Sequence, residues 1–355
     1  VVYISFDAGI LKKLIEIDPT VHTQYLNGNL QPEAIAAAGI SGLDYHQSVF
    51  KKQPGMIKDA QQRKLALNAW TVNNAEDMDW FLANNFNFIT TNEPELLFDR
   101  IKNGPLAKGK KLIWSDEFNT NGLPDTSIWG YAVGGKGYGN NELQYYTEAD
   151  TNNVFIKDGK LHIRALKQPK DNNAYTSARL TSSGKQDFTY GRIEVRAKLP
   201  KGRGTWPAIW MLGEDRTKVG WPACGEIDIM EHVGYDPGVI HGTIHSTAYN
   251  HMKNTQKGKS ISIENVFDEF HNYAIEWTKE KIDFYVDDQL YNTIINEHKT
   301  TAEWPFDKPF YLILNVAVGG NWGGQKGVDD SIFPAIMEVD YVRVYQKINP
   351  LKYFD

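Results

Sequence analysis

Cysteine is almost absent from this chain of 355 residues, with Cys224 its one thiol. A single thiol excludes an intrachain disulfide and leaves the redox compartment open. Cys224 stands close to Glu226, but the chemistry suggested by its acidic neighbours needs no thiol, and it reads as a small buried residue. Long apolar runs are also missing. No stretch reaches the roughly 18–20 apolar residues of a membrane span. Excess positive charge is missing too. The formal net charge of −6 gives no general attraction for nucleic acid or an anionic membrane. The chain opens on Val1 with no Met and no signal peptide, so it is expected to lack its natural N-terminus.

Aromatic residues are plentiful, with 10 Trp and 18 Tyr. They can fill cores, and Trp can also stack on the apolar C–H faces of sugar rings. A hydrophobic content of 41% with 23% charged residues places the chain among ordinary globular proteins rather than disordered ones. The length favours two domains over one.

One stretch organises the second two-thirds of the chain: Gly225-Glu226-Ile227-Asp228-Ile229-Met230-Glu231-His232. It begins as strict polar/apolar alternation, the period of a half-buried strand. Glu226 and Asp228 share a face, and Ile227 and Ile229 point to a core. Perfect alternation would turn Glu231 inward, which is costly for a carboxylate. One extra residue looped out as a β-bulge at Ile229-Met230 returns Glu231 to the face of Glu226 and Asp228. Three carboxylates on one face repel each other, so stability alone does not favour them. Glycoside hydrolysis uses such a set, because it needs one ionised and one protonated carboxyl group flanking the scissile bond. Repulsion and burial separate their proton affinities. In a retaining mechanism Glu226 attacks the anomeric carbon, Glu231 is the acid and then the base, and Asp228 holds Glu226 in orientation. An exposed acidic strand is the plain alternative for the spacing by itself.

The flanking residues decide between them. Gly204-Thr205-Trp206-Pro207-Ala208-Ile209-Trp210-Met211-Leu212 precedes the acid strand, Trp221-Pro222-Ala223-Cys224-Gly225 leads into it, and His241-Gly242-Thr243-Ile244-His245 comes after it. From about Lys111 to Gln346 the chain resembles glycoside hydrolase family 16, in its laminarinase-like branch. The resemblance implies a β-jelly-roll sandwich with a cleft across its concave face, and it implies the same roles for Glu226, Asp228 and Glu231. It also implies a retaining endo-β-1,3-glucanase acting on laminarin-type glucans, with mixed β-1,3/1,4-glucans as further substrates. Galactan and agar hydrolases and transglycosylases share the acid motif and stay open. A non-catalytic glucan-binding protein is the rival of another class, but such proteins lose one or more acids and this chain keeps all three. No cofactor is implied for catalysis. The substrate implies a secreted, periplasmic or cell-surface location.

The resemblance extends to other residues. Asn140 and Glu142 lie in a Gly-rich loop that resembles the laminarinase sugar-contact loop. That loop lacks the Lys-Ser/Thr pair and following helix of a phosphate loop. Arg179 falls on another cleft strand, and Trp322 on a loop near the cleft. Trp206 and Trp210, four apart on a strand, share a face and offer a paired sugar platform, with core packing the alternative. Trp221 is placed to flank the cleft. His245 is expected to neighbour Glu231. It shares a strand face with His241, but roughly 13 Å separates residues four apart on a strand, which excludes a shared zinc ion. A structural calcium ion is implied at Glu117 and Asp340, with the Gly159 carbonyl as a third donor, and hard oxygens suit it.

Residues 1–104 alternate apolar strands with helical patterns. Strands are expected at Val2–Phe6, Val21–Leu26, Gly42–His46, Leu65–Val72 and Phe88–Thr91, with helices between them, one capped by Asn74. This βα order means a parallel sheet. Asn68-Ala69-Trp70-Thr71-Val72-Asn73 and Phe88-Ile89-Thr90-Thr91-Asn92-Glu93-Pro94 resemble the C-terminal half of a glycerophosphodiester phosphodiesterase barrel. The metal-binding first half of that family is absent, so this partial TIM-barrel-like fragment is expected to be inactive. An open parallel edge is a liability. The fragment could pair with another copy, pack on the hydrolase domain or be the tail of a larger domain. The expected organisation is therefore an α/β fragment at 1–104, a linker at 105–110 and an all-β jelly roll at 111–348.

Overall fold

Short apolar strands and amphipathic helices alternate through the first hundred residues and build one parallel sheet. Its strands are β1 (Val2–Ser5), β2 (His22–Tyr25), β3 (Gly42–His46), β4 (Ala66–Trp70) and β5 (Phe88–Ile89), paired in that order. Every neighbouring pair is parallel. The computed structural model describes residues 1–348. They divide into two units, Val1–Leu112 with residues 347–348, and Ile113–Gln346.

In the first unit Leu43, Tyr45, Leu67 and Ala69 share one sheet face and pack with Leu11, Phe50 and Phe81 from the helices. Asn74 caps the helix Ala75–Ala83 by accepting the Asp77 N–H at 2.8 Å. One helix, Gln47–Lys52, was not expected. It starts directly after β3, where the His46 ring accepts the Ser48 N–H. Residues 105–110, expected as a linker, fold onto this unit. Leu106 is buried beside Leu82 and Ala83, and Lys110 N–H donates to the Pro105 carbonyl at 2.7 Å. An apolar anchor inside a polar Gly/Pro/Lys stretch makes it part of the unit.

The second unit is a sandwich of two eight-stranded sheets with antiparallel neighbours along their main paths. Alternating side chains such as Ile193, Val195 and Ala197 from one sheet meet Ile209, Met211, Ile227 and Leu312 from the other. The acid strand Glu226–Glu231 lies between Thr205–Gly213 and Val239–His245, near the middle of its sheet. Phe310–Val318 pairs with Thr205–Gly213 on the side away from the acid strand, and all nine of its residues are buried. The sheet continues through Arg179–Thr181 to Gly130–Tyr131.

Two glycines fix the acid strand. Gly225 has φ +75°, and a Cβ there would lie 2.9 Å from both Phe310 and Pro305. Gly242 stands opposite the acid strand's irregularity, and a Cβ there would reach Tyr291 Oη at 2.3 Å and Phe284 Cδ1 at 2.6 Å. A Gly242→Ala variant is therefore expected to lose about 1–3 kcal/mol from overpacking. In a unit of this size that lowers the melting temperature by about 3–10 °C. Differential scanning calorimetry measures it, and an unchanged transition would mean that the contact relaxes freely.

Candidate active site

Alternation sends Ile227 into the core and leaves Glu226 and Asp228 on the other face. Trp210 pairs with Asp228 but Ile209 pairs with Met230, and on the other side Asp228 pairs with Thr243 while Glu231 pairs with His241. The extra residue thus falls at Ile229-Met230, where the alternation breaks. Both of those side chains are buried in the core. Glu231 returns to the face of Glu226 and Asp228.

Each outer acid is held by an indole. Trp221 Nε1–H donates to Glu226 Oε2 at 2.9 Å, and Trp206 Nε1–H donates to Glu231 Oε1 at 3.0 Å. Asp228 is 3% exposed and hydrogen-bonds Glu226. Burial is the first cause that pushes all three acids above the ordinary carboxylate range. For Glu226 and Glu231 the charge of Asp228 adds to it, and the indole bonds and the neighbouring His245 pull the other way. Such close acids titrate as one cluster rather than as three independent groups.

By strand pairing His245 stands opposite Glu226 and His241 opposite Glu231, while the charge of His245 still acts on Glu231. His245 Nε2 lies 3.4 Å from Asp228 Oδ2 and 3.8 Å from Glu226 Oε1. The strand runs antiparallel to the acid strand, so the later histidine meets the earlier acid. The charge of His245 acts on Glu231 as well as on Glu226, and the two histidines do not converge on one metal. Ligand atoms of Glu226, Asp228 and His245 do lie within 4.8 Å of one another, so this trio has the spacing to take a cation.

Of the sugar-contact candidates, Trp206, Trp210, Arg179 and His245 lie on strands of the acid strand's sheet, and Asn140, Glu142, Trp221 and Trp322 lie on loops. Trp206 meets Trp322 edge-on with centroids 5.6 Å apart, and Trp322 meets His241 at 4.9 Å. Trp206 and Trp210 are both partly exposed on the face that carries the acids. The Arg179 guanidinium lies over the Trp210 ring at 4.6 Å and over Tyr138 at 4.8 Å. Asn140 Nδ2–H donates to Glu142 at 3.4 Å, and the Asn140 carbonyl accepts the Asn321 N–H at 2.7 Å. Glu142 differs from the expected open sugar contact. It is 7% exposed and accepts from Gln144 Nε2 at 2.7 Å and Tyr146 Oη at 3.2 Å. Its carboxylate props the loop from inside.

Sequence reasoning missed three residues here. Trp210 Nε1–H donates to Asn315 Oδ1 at 2.8 Å, and Asn315 Nδ2–H donates to Tyr146 Oη at 3.1 Å. This chain of neutral hydrogen bonds ends on Glu142. Asn315 had a signal, since it is the one polar side chain apart from Tyr311 in the run Phe-Tyr-Leu-Ile-Leu-Asn-Val-Ala-Val. His251 had none. Its ring lies 5.0 Å from that of Trp221 and 5.3 Å from that of His245, behind the indole that holds Glu226.

The implied calcium residues lie around the strand Ala335–Lys347. Lys160–Ala165 pairs with that strand and places the Gly159 turn beside Asp340, with Leu161 opposite Val339. Both carboxylates hold guanidinium partners. Arg343 forms two hydrogen bonds to Glu117 at 3.0 and 2.8 Å, and Arg196 meets Asp340 at 2.5 Å.

Comparison with known proteins points to one family of glycoside hydrolases. The family model described as Glycosyl hydrolases family 16 matches residues 141–343. A second model, Beta-glucan synthesis-associated protein SKN1/KRE6/Sbg1, matches residues 43–227 and so begins in the first unit. A "Beta-glucanase" of Rhodothermus marinus is 56% identical over 243 residues, covering 66% of this chain and 85% of the relative. The "Glucan endo-1,3-beta-glucosidase A1" of Niallia circulans is 41% identical over 266 residues, covering 68% of this chain but only 39% of that protein. The X-ray structure of the laminarinase from Rhodothermus marinus superposes with a TM-score of 0.66 at 54% identity, covering 68% of this chain and 98% of that one.

The titration is directly testable. In a carboxyl-resolved NMR titration the cluster is expected to keep a proton up to about pH 8. Asp228→Asn removes a negative neighbour and should shift the Glu226 titration down. Titration of all three acids below pH 5 would contradict the buried geometry.

Proposed function

The chain belongs to glycosyl hydrolases family 16, and on that footing we propose that it is a retaining endo-β-1,3-glucanase. Laminarin-type glucans are its substrate, with mixed β-1,3/1,4-glucans as a second one. The observation that carries this reading is the bulge that sets Glu231 beside Glu226 and Asp228, with an indole N–H on each outer acid.

Glu226 attacks the anomeric carbon while Glu231 donates its proton to the leaving oxygen. Water then enters, Glu231 takes a proton from it, and the glycosyl–Glu226 bond breaks. Trp221 fixes the attacking carboxylate, and Asp228 orients it and holds a proton beside it. The raised proton affinity of Glu231 keeps it an acid at neutral pH. His245 acts on the Glu226–Asp228 pair, and Trp206, Trp210, Trp322 and Arg179 bind the glucan. A polysaccharide substrate requires the enzyme to work outside the cytoplasm. No helix among the described residues is long and apolar enough to cross a membrane.

A calcium ion and an inactive first unit belong to the same reading. The oxygens of Glu117, Gly159 and Asp340 are of the kind calcium takes, but Arg343 already neutralises Glu117 and Arg196 neutralises Asp340. Calcium would exchange with those two pairs. Residues 1–104 are read as an inactive glycerophosphodiesterase-like fragment. The sequential parallel order of β1–β5 supports only the partial-barrel part of that reading. The outer edge of β1 is unpaired among the described residues, and Val2, Tyr3 and Ile4 are exposed on it. It offers a route to self-association.

Thin-layer chromatography of digests on laminarin, lichenan and agarose tests the substrate. Mixed oligosaccharides should appear early from laminarin, and cleavage of agarose alone would overturn the glucan assignment. Glu226→Ser should abolish hydrolysis with an unchanged circular dichroism spectrum, and Glu231→Gln should cost about 10²–10⁴-fold in kcat. Because the acid form of Glu231 is needed, kcat should fall as pH rises through about 8. Removing calcium with EGTA should lower the melting temperature of the second unit by a few degrees, and an indifferent transition would leave the corner to its arginine pairs alone.

A further inference from the structure

Two rings flank Glu226, and a third ring touches both of them. Trp221 Nε1–H donates to Glu226 Oε2 at 2.9 Å, and His245 Nε2 lies 3.8 Å from Glu226 Oε1. The His251 ring is 5.0 Å from that of Trp221, inclined by 31°, and 5.3 Å from that of His245, nearly perpendicular at 81°. Trp221 and His245 are 6.0 Å apart, so the three rings close a triangle. All three separations fall in the roughly 4.5–7 Å range in which aromatic rings attract. Among the described residues the His251 side chain makes no hydrogen bond or ion pair with any acid. Its ring contacts are what it contributes.

His251 is exposed, yet the backbone that carries it is tied down. It opens the short turn His251–Lys253, in the connection between the paired strands Val239–His245 and Lys257–Ser262. Asn250 Nδ2–H donates to the Ser246 and Thr247 carbonyls at 3.0 and 3.2 Å, and the Asn250 N–H donates to Thr255 Oγ1 at 3.1 Å. Thr255 Oγ1–H donates to the Ala248 carbonyl at 2.8 Å, and Lys253 Nζ–H to the Thr247 carbonyl at 2.7 Å. Asn254, at φ +54°, turns the chain back. The Ala248 N–H anchors the loop to the Ala302 carbonyl at 2.8 Å. A ring presented from a loop locked by its own hydrogen bonds can hold its neighbours in place.

Such holding is needed. Trp221 belongs to the turn between Arg216–Val219 and the acid strand, and it is partly exposed. One N–H bond fixes its Nε1 but leaves the indole free to tip about the line to Glu226. A second contact on the ring removes that freedom. His251 supplies it, and the same imidazole limits His245, which lies by the other carboxylate oxygen. Burial and then the charge of His245 push the proton affinity of His251 down. Near neutral pH it therefore works as a neutral ring.

We infer that His251 is a positioning residue for the attacking carboxylate, acting through Trp221 and His245. The inference rests on the glucanase reading, in which Glu226 is the nucleophile, and deepens it. Without the ring the indole and the imidazole can turn, and Glu226 then meets the anomeric carbon off line. Attack that depends on near-reactive geometry loses rate steeply when the reacting atoms are displaced.

The test compares His251→Ala, His251→Phe and Lys253→Ala. A 2-deoxy-2-fluoro-laminaribiosyl fluoride probes the nucleophile separately from the acid. Its C1–F bond breaks, fluoride leaves with the electron pair, and a C1–O bond to Glu226 forms with little need for a proton. In His251→Ala the rate of this labelling and kcat on laminarin should both fall about 5–50-fold with KM nearly unchanged, as for a misplaced nucleophile. An unchanged melting temperature checks the fold. His251→Phe keeps a ring and should recover most of the loss. Lys253→Ala removes the bond to the Thr247 carbonyl but keeps the ring, and it should match the unaltered protein. In NMR spectra the Trp221 indole N–H signal, identified by its loss in Trp221→Phe, should move in His251→Ala and return in His251→Phe. A raised KM with unchanged kcat would make His251 a sugar contact and overturn the inference. Equal losses in His251→Ala and Lys253→Ala, labelling at the full rate, or an unmoved indole signal would overturn it as well. Inactivity of the unaltered protein on every glucan would sink the glucanase reading. The indole signal then judges the ring contact: movement in His251→Ala keeps it, and an unmoved signal removes it.

Discussion

Taking a carboxylate out of water costs more than one hydrogen bond returns, and the acid strand does this three times within six residues. Most of the second unit can be understood as holding that arrangement in place. The strand sits near the centre of its sheet, paired on both sides. The extra residue at Ile229-Met230 turns a third acid outward without giving up core packing, since Ile227, Ile229 and Met230 are all buried. Gly242, opposite the irregularity, lets Phe284 and Tyr291 approach from the other sheet.

The partners given to these acids explain how the cluster remains usable. They are two indole N–H groups and one imidazole, none of them a permanent cation. A lysine or arginine at hydrogen-bond distance would stabilise the ionised acids and pull their proton affinity down. None of them would then keep a proton at neutral pH. An indole orients a carboxylate with a weak dipole and adds an apolar wall that keeps water away. Arginines are used freely where no proton must be kept. Arg192 bonds Glu194 and Asp288, and Arg343 bonds Glu117. The chain thus keeps these arginine ion pairs apart from the three acids of the acid strand.

Features set by local period were legible in the sequence. Strict alternation that fails at Glu231 placed the irregularity at Ile229-Met230, because a core cannot take the charge. Alternating βα patterns marked out the five parallel strands of the first unit, and Asn74 marked a helix start. Features set by pairing between distant segments were illegible. That His245 pairs with Glu226 rather than with Glu231 depends on strand direction and register. The burial of Glu142 is by contrast a local matter, with Gln144 and Tyr146 two and four positions on, but no alternation in that loop marks it. Arg343 and Arg196 occupy the acids assigned to calcium, and no spacing in the chain announces either pair. Leu106 draws the supposed linker into the first unit through contacts with Leu82 and Ala83, more than twenty positions earlier.

The hydrogen-bond chain from Trp210 through Asn315 and Tyr146 to Glu142 shows why the residues away from the acids matter. Every donor in it is neutral, and each link crosses between separate strands or loops. Glu142 is pushed upward in proton affinity first by burial, against the bonds from Gln144 and Asn140 and the charge of Arg179. Arg179 thus feels the charge of Glu142 and has the Tyr138 and Trp210 rings against its guanidinium. That fixes its guanidinium with donors left over, which a flexible surface arginine would have to order at each binding event. A cleft built this way meets a neutral, hydroxyl-rich polymer with preset donors and ring faces. The order imposed by Asn315 and Tyr146 inside the sheet is passed outward to the surface where a sugar would lie.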